Sequence, residues 1–231
     1  MNPTFDYTIA ETWLRNGRAN PACLSYHEKQ VGGLSTPSKM PWYGWSISAT
    51  KCKTGSALRD VPNSVCSKCY ALRGRYVFGK VQNALERRFY MWESNPSKWA
   101  AHMVLLLEGK AKGKTKEFRW FDSGDVQGID MIHSIVWIAN KLPHIRFWLP
   151  TKEYKLFKRL DVMKLIVTAD NLTVRVSAPQ FGETISLHGY ATSSVGAGEG
   201  TPCKAKDTGK RCGECRACWS KLHRNIDYPK S

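Results

Sequence analysis

Short apolar runs alternate with amphipathic segments through the middle and the second half of this 231-residue chain. The runs are rich in β-branched and aromatic residues and are bounded by turn-forming residues, which is typical of buried strands. The predicted strands are Trp45–Ala49, Phe118–Phe121, Ile145–Leu149, Leu172–Ser177 and Ala191–Val195.

Between most of these runs, apolar residues recur at the three- and four-residue spacing of an amphipathic helix. Asn95-Pro96 separates the first two such segments and Pro143 ends the third, because proline cannot continue a helix. The predicted helices are Val81–Trp92, Lys98–Glu108, Ile129–Leu142 and Lys152–Met163.

Strands that alternate with helices favour right-handed βαβ units and a parallel sheet. The chain is short for a complete eight-fold barrel of about 250 residues. The predicted fold class is therefore α/β, a partial (βα) barrel with mostly parallel strands and a small cysteine-rich C-terminal metal-binding segment. Residues 1–44 form an irregular N-terminal segment, residues 45–200 the barrel core, and residues 201–231 the C-terminal segment.

Four loops follow the first four predicted strands, and parallel order places all of them at one rim. They are the cysteine-containing loop after Ala49, the DSGD loop, the PTKE loop after Leu149 and the SAPQ loop after Val176. Ligands gather at this edge of α/β proteins, so we expect the functional site there.

The first cysteine group consists of Cys52, Cys66 and Cys69. Three protein ligands suit a centre that keeps one position open, which is a water site on zinc or a free iron on a four-iron cluster. The alternative is half of a structural zinc site completed by the C-terminal cysteines. Cys23 stands alone and is read as a plain thiol.

The second cysteine group consists of Cys203, Cys212, Cys215 and Cys218. Its last three members stand at two-residue gaps, as in the opening of a ferredoxin-type run, and Cys203 supplies a fourth ligand. A four-cysteine zinc site remains the rival interpretation. In either case the set is closed, so its role is structural or electron-carrying.

The charge balance points to a polyanionic partner. Lys and Arg number 35 against 19 acidic residues, for a formal net charge of +16, and nucleic acid is the default partner of such a chain. No apolar run approaches the roughly 20 residues of a membrane span and no secretory signal opens the chain. We therefore expect a cytoplasmic protein with reduced cysteines and no membrane partner.

Two further features are candidates for ligand contact. Asp122 and Asp125 flank Ser123-Gly124 at a strand end, where they either bind an amine or hydroxyl or form a helix-capping turn. A basic patch follows Cys69 and is either a phosphate contact or a solvated helix face. The patch comprises Arg73, Arg75, Lys80, Arg87 and Arg88.

Three stretches, spanning about Trp45 to Trp219, resemble a family of phage proteins known as gene product 88. They are CKTGSALRDVPNSVCSKCYALRGRYVFGKVQNALERR, WFDSGDVQG and CGECRACW. The resemblance implies a location in the host cytoplasm. It names no activity and no substrate.

The family pattern is in turn similar to radical S-adenosylmethionine (SAM) enzymes, which are partial barrels with a three-cysteine [4Fe-4S] cluster. By that resemblance Cys52, Cys66 and Cys69 would hold the cluster, and Ser123, Gly124 and Asp125 would contact the SAM amine. The chain departs from the usual CxxxCxxC spacing, because thirteen residues separate Cys52 from Cys66. The acidic motif also matches only approximately.

The first hypothesis is thus a radical-SAM-like iron–sulfur enzyme acting on an unidentified small-molecule or macromolecular substrate. Its C-terminal centre, iron–sulfur or zinc, is structural or auxiliary. The alternative is a non-catalytic iron–sulfur or zinc protein that binds nucleic acid through a basic surface. A third hypothesis is a redox or metal sensor.

Overall fold

The computed structural model describes residues 4–209 and 211–230, and these form an α/β fold on one parallel sheet. Within them, seven strands follow the order β1-β2-β3-β4-β5-β7-β6, and every neighbouring pair is parallel. Residues 1–3 of the predicted N-terminal segment, and residues 210 and 231 of the predicted C-terminal segment, lie outside the described residues. The strands are β1 (Gly44–Trp45), β2 (Lys116–Trp120), β3 (Ile145–Thr151), β4 (Leu172–Ser177), β5 (Ala191–Val195), β6 (Thr201–Pro202) and β7 (Asn225–Tyr228).

Helices connect the first four strands and also precede the sheet. They are α1 (Tyr7–Ala19), α2 (Leu24–Gln30), α3 (Thr54–Ala57), α4 (Gly79–Ser94), α5 (Pro96–Ala111), α6 (Ile129–Lys141), α7 (Tyr154–Phe157) and α8 (Leu160–Ile166). The predicted break between α4 and α5 is confirmed, since the Asn95 side chain accepts from Lys98 N and Pro96 begins the helix. No helix in the described part of the chain is long and apolar enough to cross a membrane.

One face of the sheet carries the hydrophobic core. Phe118 pairs in register with Phe147, and both pack into a cluster with residues of α5 and α6. Trp45 and Trp99 are almost fully buried in this cluster, with ring centroids 4.9 Å apart. Burial of this much aromatic surface is the main stabilising term of the fold.

The other face of the sheet is covered by the C-terminal segment. Trp219 packs edge-to-face on Trp148 of β3, and its indole donates to the Phe118 carbonyl at 2.8 Å. Arg175 of β4 is fully buried beneath this segment. Its guanidinium donates to the carbonyls of Thr192, Ala217, Ser220 and His223. The cysteine-rich segment is therefore an integral layer of the fold.

Two element predictions were wrong near the rim. The strand predicted over Trp45–Ala49 ends at Trp45, because the Ser48 hydroxyl caps a 3₁₀ helix at Ala49–Lys51. The helix predicted over Lys152–Met163 is two short helices, since Arg159 adopts an extended conformation between them.

The irregular segment predicted over residues 1–44 also contains two helices. Asp6 caps the first of them by accepting from Ile9 N at 2.9 Å, and α1 buries only Ala10 and Leu14. This apolar stripe is too narrow to be recognised by periodicity, although α1 and α2 both pack on α5.

Gly124 occupies the tightest backbone position of the rim, with φ of +79°. A Cβ atom there would lie 2.8 Å from the Ile47 carbonyl oxygen, whereas one on Gly113 (φ +71°) would meet nothing within 4 Å. We expect Gly113→Ala to cost about 1–2 kcal/mol from conformation alone. Gly124→Ala should cost about 1–3 kcal/mol more, because the clash adds to it. Urea unfolding checks this, and equal losses would contradict it.

Candidate metal centres

The first cysteine group lies at the carboxyl edge of the sheet, as parallel order predicts. Cys52 follows the 3₁₀ helix after β1, and Cys66 lies in a 3₁₀ helix spanning Val65–Lys68. The loop is joined to the segment after β4, because Val65 N donates to the Pro179 carbonyl at 2.8 Å. The expected convergence of the cysteine loop with the SAPQ loop is thus confirmed.

Cys52 and Cys66 face a common space beside Gly55. A Cβ atom on Gly55 would lie 3.6 Å from the sulfur of each cysteine and 3.1 Å from Cys52 Cβ. The two sulfurs are therefore no more than twice 3.6 Å apart. The absence of a side chain at this position leaves a cradle between them.

Electrostatic contacts place Asp125 and Lys152 beside the same thiols. Burial raises the pKa of Cys52, and the charges of Asp125, Cys69 and Cys66 raise it further. Burial also raises the pKa of the Cys66 thiol, whereas the Lys152 ammonium lowers it. Lys152 is thus a nearby cation that offsets the negative charge of three thiolates.

Glu153 fixes the cysteine loop to the end of β3. Its carboxylate accepts from the backbone N–H groups of Lys53 and Thr54 at 3.2 and 3.0 Å, and from the Thr54 hydroxyl at 2.8 Å. These contacts satisfy the first donors of α3, the short helix that carries Gly55. Glu153 does not cap the helix that follows it, since α7 has no side-chain cap.

The DSGD loop lies at the same rim, and its side chains mainly brace it. Asp125 is 6 % exposed, and its two carboxylate oxygens accept from Val126 N (2.7 Å) and Lys152 N (2.8 Å). Burial raises its pKa to about 6. The Thr151 side chain also donates to this carboxylate, which leaves at least one lone pair for a ligand amine.

Ser123 and Asp122 take different roles in this loop. The Ser123 hydroxyl is buried without a hydrogen-bond partner in the described structure, while the Asp122 carboxylate binds the hydroxyls of Ser46 and Tyr76. Of the two alternatives for the DSGD aspartates, the helix-capping one is wrong, because Gly128 is the N-cap of α6 and no side chain caps that helix.

The second cysteine group belongs to the C-terminal segment, which covers the face of the sheet opposite the hydrophobic core. Burial raises the pKa of Cys212, and the charges of Cys203 and Cys215 raise it as well. Burial raises the pKa of Cys218 to about 11, and its sulfur lies 3.2 Å from the Tyr228 hydroxyl. Cys212 thus lies within electrostatic range of Cys203 and Cys215, and Cys218 within range of Cys203.

Arg119 of β2 lies between the two groups. Its guanidinium stacks 4.4 Å above the Trp148 ring. Burial lowers the pKa of Arg119. Nearby negative charges, including those of Tyr70 at the rim and Cys218 in the second cysteine group, outweigh the effect of burial, so the pKa is raised overall. Sequence periodicity could not place Arg119 or Lys152 beside the cysteines.

In the described part of the chain, no three His, Cys, Asp or Glu side chains converge closely enough to hold a single metal ion, and every cysteine is a free thiol. A four-iron cluster needs a wider spacing of its ligands than a single ion does, because each thiolate binds a different iron and the sulfurs do not meet at one point. The space beside Gly55, between Cys52 and Cys66, is compatible with this wider spacing.

Fold and site together define an α/β protein with a cysteine-rich rim. The family model of gene product 88 matches residues 14–188, so the chain belongs to the gene product 88 family. The match includes the first cysteine group and the DSGD loop but ends before Cys203, so the resemblance seen up to Trp219 extends further than the model does. Comparison with curated proteins and with solved structures found no match.

Proposed function

We propose that this protein is an iron–sulfur enzyme of the radical-SAM type, built on a partial βα barrel. Cys52, Cys66 and Cys69 would hold a [4Fe-4S] cluster at the rim. The observation that carries the proposal is the cradle beside Gly55, where two thiols face one space next to the partly buried cation Lys152.

Three cysteine ligands on a four-iron cluster leave one iron without a protein ligand. When bound and reduced by an external electron donor, such a cluster would supply the one electron that cleaves SAM. The surrounding residues would prepare this site. Lys152 would balance the thiolate charge, and Glu153 would keep the cysteine loop in place through α3.

Asp125 is the proposed contact of the SAM amine, together with the backbone of Ser123 and Gly124. Its position beside Cys52 and Cys66 supports this role. A hydrogen bond from the amine N–H to the buried carboxylate would favour the ionised form of Asp125. Its bonds to Val126 N and Lys152 N would hold the acceptor in a fixed orientation.

The second group, Cys203, Cys212, Cys215 and Cys218, would form a closed structural or auxiliary iron–sulfur centre, and zinc there would require the four side chains to move closer together than they stand in the described structure. The support is its location within a covering layer that Arg175 ties to the sheet. We place the protein in the host cytoplasm, because ligand thiols of this kind stay reduced there.

The test is the electron paramagnetic resonance spectrum of the reduced holoprotein. Adding SAM should change this spectrum, and Asp125→Asn should weaken the response, although its single amide oxygen can replace only one of the two acceptors for Val126 N and Lys152 N. Asp161→Asn is the matched control, since Asp161 is exposed and pairs only with Arg159 and its own helix end. A spectrum that saturating SAM leaves unchanged would favour the non-catalytic alternative.

Gly55→Ala is a second check of the cradle. The methyl group would enter the space between Cys52 and Cys66, so we expect the first centre to lose most of its iron. Stability of the apoprotein should change little, because the gain in helix propensity from alanine offsets the tight 3.1 Å approach to Cys52 Cβ. Gly79→Ala, whose Cβ meets nothing within 4 Å, is the control. Full iron content in Gly55→Ala would show that the cradle is not the cluster site.

A further inference from the structure

The basic residues after Cys69 divide into two sets. Arg87 and Arg88 are used by the fold, since they donate to the carbonyls of Gly32 and Gly33 at 3.2 and 3.0 Å. Arg73, Arg75 and Lys80 are exposed instead, and none of the three forms an ion pair with a described residue. Three uncompensated cations thus remain at the rim.

Exposed aromatic rings accompany these cations. Phe78 is 60 % exposed and Tyr70 is 53 % exposed. The Tyr70 hydroxyl donates inward to the Asp122 carbonyl, so its ring is held fixed while one side stays open to solvent. Large apolar side chains that cluster in exposed positions beside a site indicate a binding surface.

Cations and exposed aromatic rings on one surface are the groups that bind unpaired nucleic acid strands. Arg and Lys bind phosphates, and exposed aromatic faces stack on bases, which are available only where the strand is unpaired. Tyr70 directly follows Cys69, so a base stacked there would lie next to the first cysteine group. A duplex keeps its bases in the stack and could use only the cations.

We infer that Tyr70, Arg73, Arg75, Phe78 and Lys80, here called the rim patch, dock a single-stranded nucleic acid. This inference rests on the proposed function and names its substrate class. Phosphates would contact the three cations, and unpaired bases would stack on the two rings. One base would thereby be presented to the rim at the Cys69 side.

The test uses the holoprotein and a fluorescein-labelled oligodeoxythymidylate of about a dozen nucleotides, followed by fluorescence anisotropy at several salt concentrations. The variant Arg73→Gln/Arg75→Gln/Lys80→Gln should bind at least about tenfold more weakly. Its salt slope should fall by about two, because each phosphate contact in a single strand contributes about 0.7.

The matched control removes the same charge elsewhere, by Lys112→Gln/Lys114→Gln/Lys164→Gln. These lysines are exposed and precede β2 and β4, so they lie toward the opposite edge of the sheet. The control should bind within about twofold of wild type, since net charge alone acts weakly at a distance. An equal loss in both triple variants would overturn the rim patch.

The aromatic contribution has its own comparison. Phe78→Ala should weaken binding by about five- to a hundredfold, as expected for loss of one stacked base. Tyr90→Ala removes an exposed ring of α4 outside the rim patch and should leave binding unchanged. A duplex of equal length that binds as tightly as the single strand would refute the single-strand claim.

The two proposals fail separately. If SAM changes the cluster spectrum but the oligonucleotide does not bind, the substrate inference is wrong and the enzyme proposal stands. If the oligonucleotide binds through the rim patch but SAM has no spectral effect, the surface is right and the radical-SAM function is wrong.

Discussion

Cys66→Ala and Cys69→Ala are each expected to abolish the first metal centre. Each removes one of only three ligands, and two of those three come from a single 3₁₀ turn at Val65–Lys68 and its cap. The iron and acid-labile sulfide attributable to this centre should fall to near zero. Metal and sulfide analysis of anaerobically purified protein measures the loss.

Cys23→Ala is the matched control for these variants. Cys23 is exposed at the start of α2, and its sulfur lies 3.1 Å from the Ser25 hydroxyl, away from the other cysteines in the chain. It should keep the full metal content. If Cys23→Ala lost as much iron as Cys66→Ala, the ligand assignment would be wrong.

Arg175→Met should produce the largest loss of stability among the substitutions considered. It removes a fully buried guanidinium and leaves several carbonyls of the C-terminal segment without a donor. The cost should reach about 4 kcal/mol or more, since unsatisfied buried polar groups are expensive. Metal at the second cysteine group should fall with it, while the first centre is less affected.

Arg159→Met provides the comparison for Arg175. Arg159 is exposed and pairs with Asp161, so its loss should leave the free energy of unfolding nearly unchanged. Urea unfolding of both variants, with metal analysis, separates the two cases. An Arg175→Met protein as stable as Arg159→Met would mean that the C-terminal layer is not held by this side chain.

Local patterns identified the elements whose side chains face the core. The strands predicted at Leu172–Ser177 and Ala191–Val195 are confirmed with the same bounds, because β-branched residues between turns mark a buried strand. β6 and β7 were not predicted. β6 has two residues, one of them proline, and β7 carries Asn225 and Asp227, so neither has an apolar run.

Long-range contacts explain why part of the site could not be predicted. Parallel strand order was enough to bring the cysteine loop, the DSGD loop and the PTKE loop to one rim. Glu153 reaches a helix about a hundred residues earlier in the chain, and Arg119 reads as an ordinary strand residue. Such roles depend on tertiary contacts between distant segments, which local sequence periodicity does not encode.

Mössbauer spectroscopy of the ⁵⁷Fe-enriched holoprotein, with and without SAM, tests the central claim most directly. A four-iron cluster on Cys52, Cys66 and Cys69 predicts that one iron differs from the rest and that its signal shifts when SAM is added. Two results would contradict the proposed function. One is protein that holds only zinc after anaerobic reconstitution, and the other is a cluster in which no iron signal changes when SAM is added.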